Sequence, residues 1–190
     1  NDLKSELFDM VKNHTVLNYD DEAKPQMFGY IDNENGKVRC VYTAEYYDIP
    51  VGTMPNQNNF NCEHSWPQSM GAQSEPAKSD LHHLFPTYSK VNSERSNYPF
   101  GIPVTQVESF CNTEGTYCSK KGKNSSNQIV FEPADEHKGD VARAMMYFSI
   151  RYDMRIDSMQ EEVFKQWNIL DPVSENEIIR NEKIKNVLDE

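Results

Sequence analysis

The sequence predicts a mixed α+β fold in one domain, on three observations. A 3.6-residue apolar period runs through residues 137–153, with Val141, Ala144, Met145, Phe148 and Tyr152 on one face. Short runs at 38–43, 81–85 and 129–132 are bounded by Pro, Gly, Asn or Asp, as strands are. No segment repeats, and helical and extended stretches follow one another in mixed order. A length of 190 residues suits a single domain spanning 1–190.

In chain order, residues 1–17 read as an amphipathic helix with Leu3, Leu7, Met10 and Val11 on one face. The Asn/Asp/Gly patch at 32–36 marks a turn into an alternating strand at 38–43. Residues 48–61 form a loop without period. A short extended segment at 61–66 and a polar loop at 67–79 precede the apolar run 81–85, which Pro86 ends. Thr87 is placed to cap a short helix over 88–96, stopped by Pro99 and Gly101. A strand at 129–132 leads into the 137–153 helix, which Met146 and Ile150 mark for burial on a second side. The last 35 residues read as surface helices broken near Pro172.

Net charge is −11, which by itself opposes nucleic-acid binding. The charge is uneven. Residues 61–125 carry 6 Lys and Arg against 6 Asp and Glu, so the middle is neutral between acidic ends. A divalent ion there would make it locally positive. No stretch approaches the ~20 apolar residues of a membrane span. The four cysteines contain no C-x-x-C pair, which argues against zinc. Cys111 and Cys118 flank a turn at Gly115 and suit a local disulfide, which leaves Cys40 to pair with Cys62. Two disulfides imply an oxidising compartment, hence a secreted or periplasmic protein; the other reading is four buried free thiols.

The densest chemistry lies in NCEHSWPQS (61–69), DLHHLFPT (80–87) and KVNSERSN (90–97). A strand, a return strand and a helix would bring Glu63, His64 and Asn92 onto one surface. Glu63 and Asn92 offer hard oxygen ligands suited to Mg²⁺, Mn²⁺ or Ca²⁺. His64 titrates near neutrality and suits a general base. Neighbours on an ideal strand point to opposite faces, so Glu63 and His64 must sit at a strand end to converge. Arg95 shares a helix face with Asn92 and is a candidate phosphate contact.

At these residues the chain resembles the endonuclease I family of bacterial periplasmic and secreted nucleases, a branch of the ββα-metal (His-Me finger) fold. The likeness runs through EHSWPQS, DLHHLFPT, VNSERSNYPFG, FEP (131–133), GDVARAMMYFSIRY (139–152) and WNILDPVSENEIIRN (167–181), about residues 38–185. It implies a ββα-metal core at about 60–100 with additional helices around it. It implies His64 as base and Glu63 and Asn92 as metal ligands. It further implies an endonuclease on DNA, with RNA as a second substrate, little sequence preference and 5′-phosphate products; separately, a monomer is expected.

His82 and His83 are expected to pack in the second strand, Asp80 to fix the turn before it, and Asn97 to cap the helix end. Arg143, with Tyr147 and Arg151, forms a polar stripe that suits phosphate binding or ion pairs to the acidic tail. Lys120, Lys121 and Lys123 make the most basic spot, in a solvated loop or along a nucleic-acid backbone. The rival readings are a catalytically silent extracellular nucleic-acid-binding module and an acidic interaction domain.

Overall fold

The computed structural model describes residues 2–189; Asn1 and Glu190, the ends of the sequence-read domain, lie outside the described residues. Helix α1 (Asp2–Val11) is shorter than the 1–17 span the apolar period suggests. Next comes a helical segment absent from the sequence reading. Two wide turns, Tyr19–Ala23 and Met27–Ile31, flank α2 (Lys24–Gln26). Asn18 caps it by accepting from the Asp20 and Asp21 N–H groups, and Ala23, Met27, Phe28 and Ile31 enter the core. Pro25 is the second residue of α2, which follows the first wide turn without a break.

Strands β1 (Asn33–Glu34), β2 (Lys37–Arg39) and β3 (Tyr46–Asp48) form a small antiparallel sheet. Asn35 and Gly36 turn the first hairpin with φ of 56° and 86°, the conformation an Asn-Gly pair accepts. The strand expected over 38–43 therefore stops at Arg39, and residues 40–43 turn instead. Strands β4 (Phe60–His64) and β5 (Leu84–Tyr88) pair antiparallel from Phe60↔Tyr88 to His64↔Leu84. Helix α3 (Ser89–Arg95) follows directly. Thr87 does not cap it: Tyr88 holds that position, and the Thr87 hydroxyl meets the Cys40 thiol.

Strands β6 (Thr105–Cys111), β7 (Cys118–Lys123) and β8 (Ile129–Glu132) form a third sheet in that order. It places the three lysines on a strand, where Lys121 pairs with Glu94 and Glu108. Helices α4 (Lys138–Arg151), α5 (Ser158–Leu170) and α6 (Glu175–Leu188) complete the chain. Asp157 and Ser174 cap the last two. On α4, Val141, Ala144, Met145 and Phe148 are buried as the period predicts, while Met146 and Ile150 are half-buried. Phe148 stacks on Trp66, with centroids 4.9 Å apart, which ties α4 to the chain just beyond β4. Burying a side chain of that size stabilises by about 1.5–3 kcal/mol.

Cys111 and Cys118 face each other across β6 and β7 and are disulfide-bonded. The expected Cys40–Cys62 bond is absent; both are free, buried thiols. The reason is topological. Cys62 pairs with Pro86 on one flank of β5, while the Val41 N–H bonds the Pro86 carbonyl from the other. One strand therefore separates the cysteines. Two strand spacings of about 4.8 Å each exceed the ~7 Å Cα separation a disulfide spans.

Candidate active site

β4, β5 and α3 bring Glu63, His64 and Asn92 to one open cleft of about 420 Å³, with Gln68 and Asn97 on its rim. His64 is the last residue of β4, and the chain turns away at Trp66 and Pro67. Ending the strand there relieves the alternation that would otherwise send Glu63 and His64 apart.

Glu63 is 2% exposed. Its Oε1 accepts from the Tyr42 hydroxyl at 2.9 Å and lies 2.9 Å from Arg95 Nε, an ion pair too bent for a hydrogen bond. Burial pushes the carboxyl pKa up, and the Arg95 charge and the Tyr42 hydroxyl oppose it. No hydrogen bond from a described residue reaches Oε2. Asn92 spends its amide nitrogen on Asn61 Oδ1 at 2.9 Å and the Cys62 carbonyl at 3.2 Å, which leaves Oδ1 as a spare acceptor. Two oxygens without protein donors thus share one cleft, a donor set that fits a hard divalent cation. Among the described residues, no three His, Cys, Asp or Glu side chains gather as a metal cluster.

His64 is 7% exposed. Its Nε2 donates to the Lys78 carbonyl at 3.0 Å. This fixes the tautomer and leaves Nδ1 as the lone-pair nitrogen, 3.3 Å from the Gln68 amide nitrogen. The rings of Tyr19 and His83 pack against it. Burial, then the neighbouring His83, holds its pKa down to about 3, so the imidazole is neutral.

Arg95 is placed differently from its sequence reading. At 1% exposure it lies beneath Glu63, its guanidinium bonded to the Ser65 and Ser96 carbonyls and stacked 4.4 Å from the Phe100 centroid. It offers nothing to a phosphate. Arg143 is also away from the cleft, tied to Glu177, Asn168 and the Asp171 carbonyl. Of its two readings, ion pairing to the acidic tail is the one realised.

His82 and His83 lie in a 3-10 turn, Leu81–His83, ahead of the strand. His83 donates to the Ala77 carbonyl at 2.7 Å, and burial lowers its pKa to about 4. Asp80 fixes this turn, accepting from the His82 N–H and from the Tyr147 and Tyr152 hydroxyls. Asn97 reaches Ser69 instead of capping α3. Sequence reasoning missed Tyr42 and Gln68. Tyr42 gives no local signal, since it reaches Glu63 only through the fold. Gln68 lies four residues past His64 inside the singled-out motif and could have been suspected.

The whole chain, residues 1–190, matches the family model described as endonuclease I. An extracellular ribonuclease of Bacillus subtilis (strain 168) is 30% identical over 202 residues, covering 96% of this chain and 66% of that protein. An extracellular ribonuclease of Bacillus amyloliquefaciens matches with the same identity and coverage. A periplasmic deoxyribonuclease of Aeromonas hydrophila is 27% identical over 113 residues, covering 60% of this chain and 45% of the relative. The chain therefore spans just under two thirds of the length of the Bacillus relatives.

Proposed function

The chain belongs to the endonuclease I family, and from that premise we propose that it hydrolyses phosphodiester bonds of DNA and RNA through a ββα-metal motif made of β4, β5 and α3. The observation that carries this reading is the cleft itself. Glu63 Oε2 and Asn92 Oδ1 have no donor from a described residue, and they open beside a neutral imidazole whose Nε2–H is already committed. Relatives named as ribonucleases and as deoxyribonucleases support both substrates, and their extracellular or periplasmic names support export of this chain. No described helix is long and apolar enough to cross a membrane.

In this reading Glu63 and Asn92 hold one Mg²⁺, with Mn²⁺ or Ca²⁺ as substitutes. A cation held by these two side chains would supply positive charge to the phosphate as negative charge develops on it. His64 takes a proton from water at Nδ1 as the water attacks phosphorus and the bond to the 3′ oxygen breaks, leaving a 5′-phosphate and a 3′ oxygen that takes its proton from solvent. The Lys78 carbonyl holds the ring through Nε2 and favours the imidazolium that forms. Tyr42 and Arg95 occupy Oε1 of Glu63 and leave Oε2 for the cation.

Hydrolysis of plasmid DNA and structured RNA, with and without EDTA, tests the proposal. Wild type is expected to cut both and to stop with chelator. His64→Ala should cost on the order of 10²–10⁴ in rate, the usual worth of a positioned base. Glu63→Ala and Asn92→Ala should weaken the metal response. Cutting that survives EDTA, or a His64→Ala variant at wild-type rate, overturns it.

A further inference from the structure

A second cleft, of about 550 Å³, opens where the 43–45 turn, the 58–59 loop, the start of α3 and the end of β6 meet. Its size falls within the ~300–1,000 Å³ of small-ligand clefts. The rings of Tyr88 and Phe110 line it, and each is half-buried, so part of each aromatic surface faces the space.

The rim is polar and uncharged on one side: Asn58 and Asn59 are exposed, with side-chain amides that bond no described residue. Glu45, held by the Thr113 N–H and hydroxyl, adds a carboxylate that repels a phosphate and accepts from an amino group. The Lys90 ammonium is exposed at the edge and within 4 Å of no described carboxylate. Aromatic walls, amide edges, one acceptor and one rim cation match a planar heterocycle attached to a phosphate chain.

We infer that this cleft takes one unpaired nucleobase of the substrate strand, so that single-stranded nucleic acid binds better than duplex. The inference rests on the hydrolase reading above and extends its substrate class. Lys90 and Asn92 are two residues apart on α3, about 200° around its axis, so the two clefts flank the helix. Crossing a helix ~10–12 Å wide takes about three nucleotides at ~3.4 Å rise each. A base held in a duplex cannot leave its stack to enter the cleft without unpairing.

Anisotropy of a fluorescent single-stranded DNA oligonucleotide, measured in EDTA, tests binding without turnover. The Asn58→Ala/Asn59→Ala double variant should bind about tenfold more weakly, as the loss of one or two hydrogen bonds predicts. Phe110→Leu, which removes one aromatic wall of the cleft, should weaken it in the same direction. The duplex of the same sequence should change less than twofold for both variants, whereas Lys90→Ala should weaken both forms. Unchanged single-strand affinity in the first two variants, or equal loss on duplex, overturns the subsite. Hydrolysis of bis(p-nitrophenyl) phosphate, too small to reach the second cleft, reports separately on the chemistry. A wild type inactive on this ester and on nucleic acid removes the hydrolase reading, whereas wild-type rates on the ester with unchanged single-strand binding in the variants remove the subsite alone.

Discussion

At Glu63 the proposed role and the surroundings oppose each other. A carboxylate that binds a cation must be ionised, yet burial at 2% exposure favours the neutral acid. Arg95 resolves the conflict by placing a permanent charge 2.9 Å from Oε1, and Tyr42 adds a hydroxyl to the same oxygen. The two partners differ in what their loss costs. Arg95→Met leaves a buried carboxylate unpaired, which is expected to cost about 3–5 kcal/mol of stability. Tyr42→Phe removes one hydrogen bond while Arg95 keeps the charge balanced. Its expected effect is a loss on the order of tenfold in Mg²⁺ affinity, the lower end for an outer partner of a ligand. Calorimetric titration of Mg²⁺ and urea unfolding of both variants check this. Equal metal affinity in Tyr42→Phe and wild type would show that the hydroxyl does not orient Glu63. The sequence exposed Glu63, His64 and Asn92 because their residue types cluster within short motifs. It hid Tyr42, whose role exists only once β4 and the 40–43 turn lie side by side.

Among the elements, α4 was legible because one apolar face repeats over four turns, and Phe148 and Trp66 meet where that face points. β6 and β7 were not. The inward positions of β7 are Ser119 and Gly122, so no apolar alternation marks the strand. Gly122 must be small, since a Cβ there would lie 2.8 Å from the Thr105 carbonyl oxygen. The 19–31 helical segment was hidden by Pro25 and Gly29, which read as breakers although the helical turns run through both. The disulfide follows the same division. Cys111 and Cys118 were close in sequence and are paired; Cys40 and Cys62 were joined only by elimination and are kept apart by β5. Reduction therefore acts on the β6–β7 hairpin and leaves β4 intact. For a loop this short, chain entropy predicts a loss of about 2–3 kcal/mol. Cys111→Ser/Cys118→Ser should lower the unfolding midpoint, yet retain Mg²⁺ affinity and turnover at 25 °C. Loss of metal binding in a still-folded variant would contradict the separation of hairpin and cleft.

For the molecule as a whole, pH sets buried histidines against surface charge. The net charge of −11 gives self-repulsion that weakens as acid brings the chain toward its pI near 4.9, a stabilising trend that salt screens. His83 and His64 push the other way. Their pKa values are held to about 4 and about 3 by burial, whereas an unfolded histidine titrates at about 6.5. Between these values the unfolded chain binds more protons than the folded one, so stability rises with pH there. The contribution is full above 6.5 and is lost as pH falls toward 4. For His83 alone it is on the order of 3 kcal/mol, because each pKa unit is worth about 1.4. Asp135 and Asp140, held low by Lys138 and His137, lose their contributions in the same direction at lower pH. Glu63, Asp171 and Glu177, raised by burial, act in the opposite sense over the carboxylate range. A variant at His83 separates the histidine contribution from these opposing carboxylates. Urea unfolding of the metal-free protein at 0.15 M salt should show stability falling steadily from pH 7 to pH 5. His83→Gln keeps an amide donor for the Ala77 carbonyl and has no proton to gain, so its profile should be flatter across that window. A His83→Gln profile as steep as that of wild type across the window would mean that His83 accepts its proton inside the folded protein, and that water reaches the turn before β5.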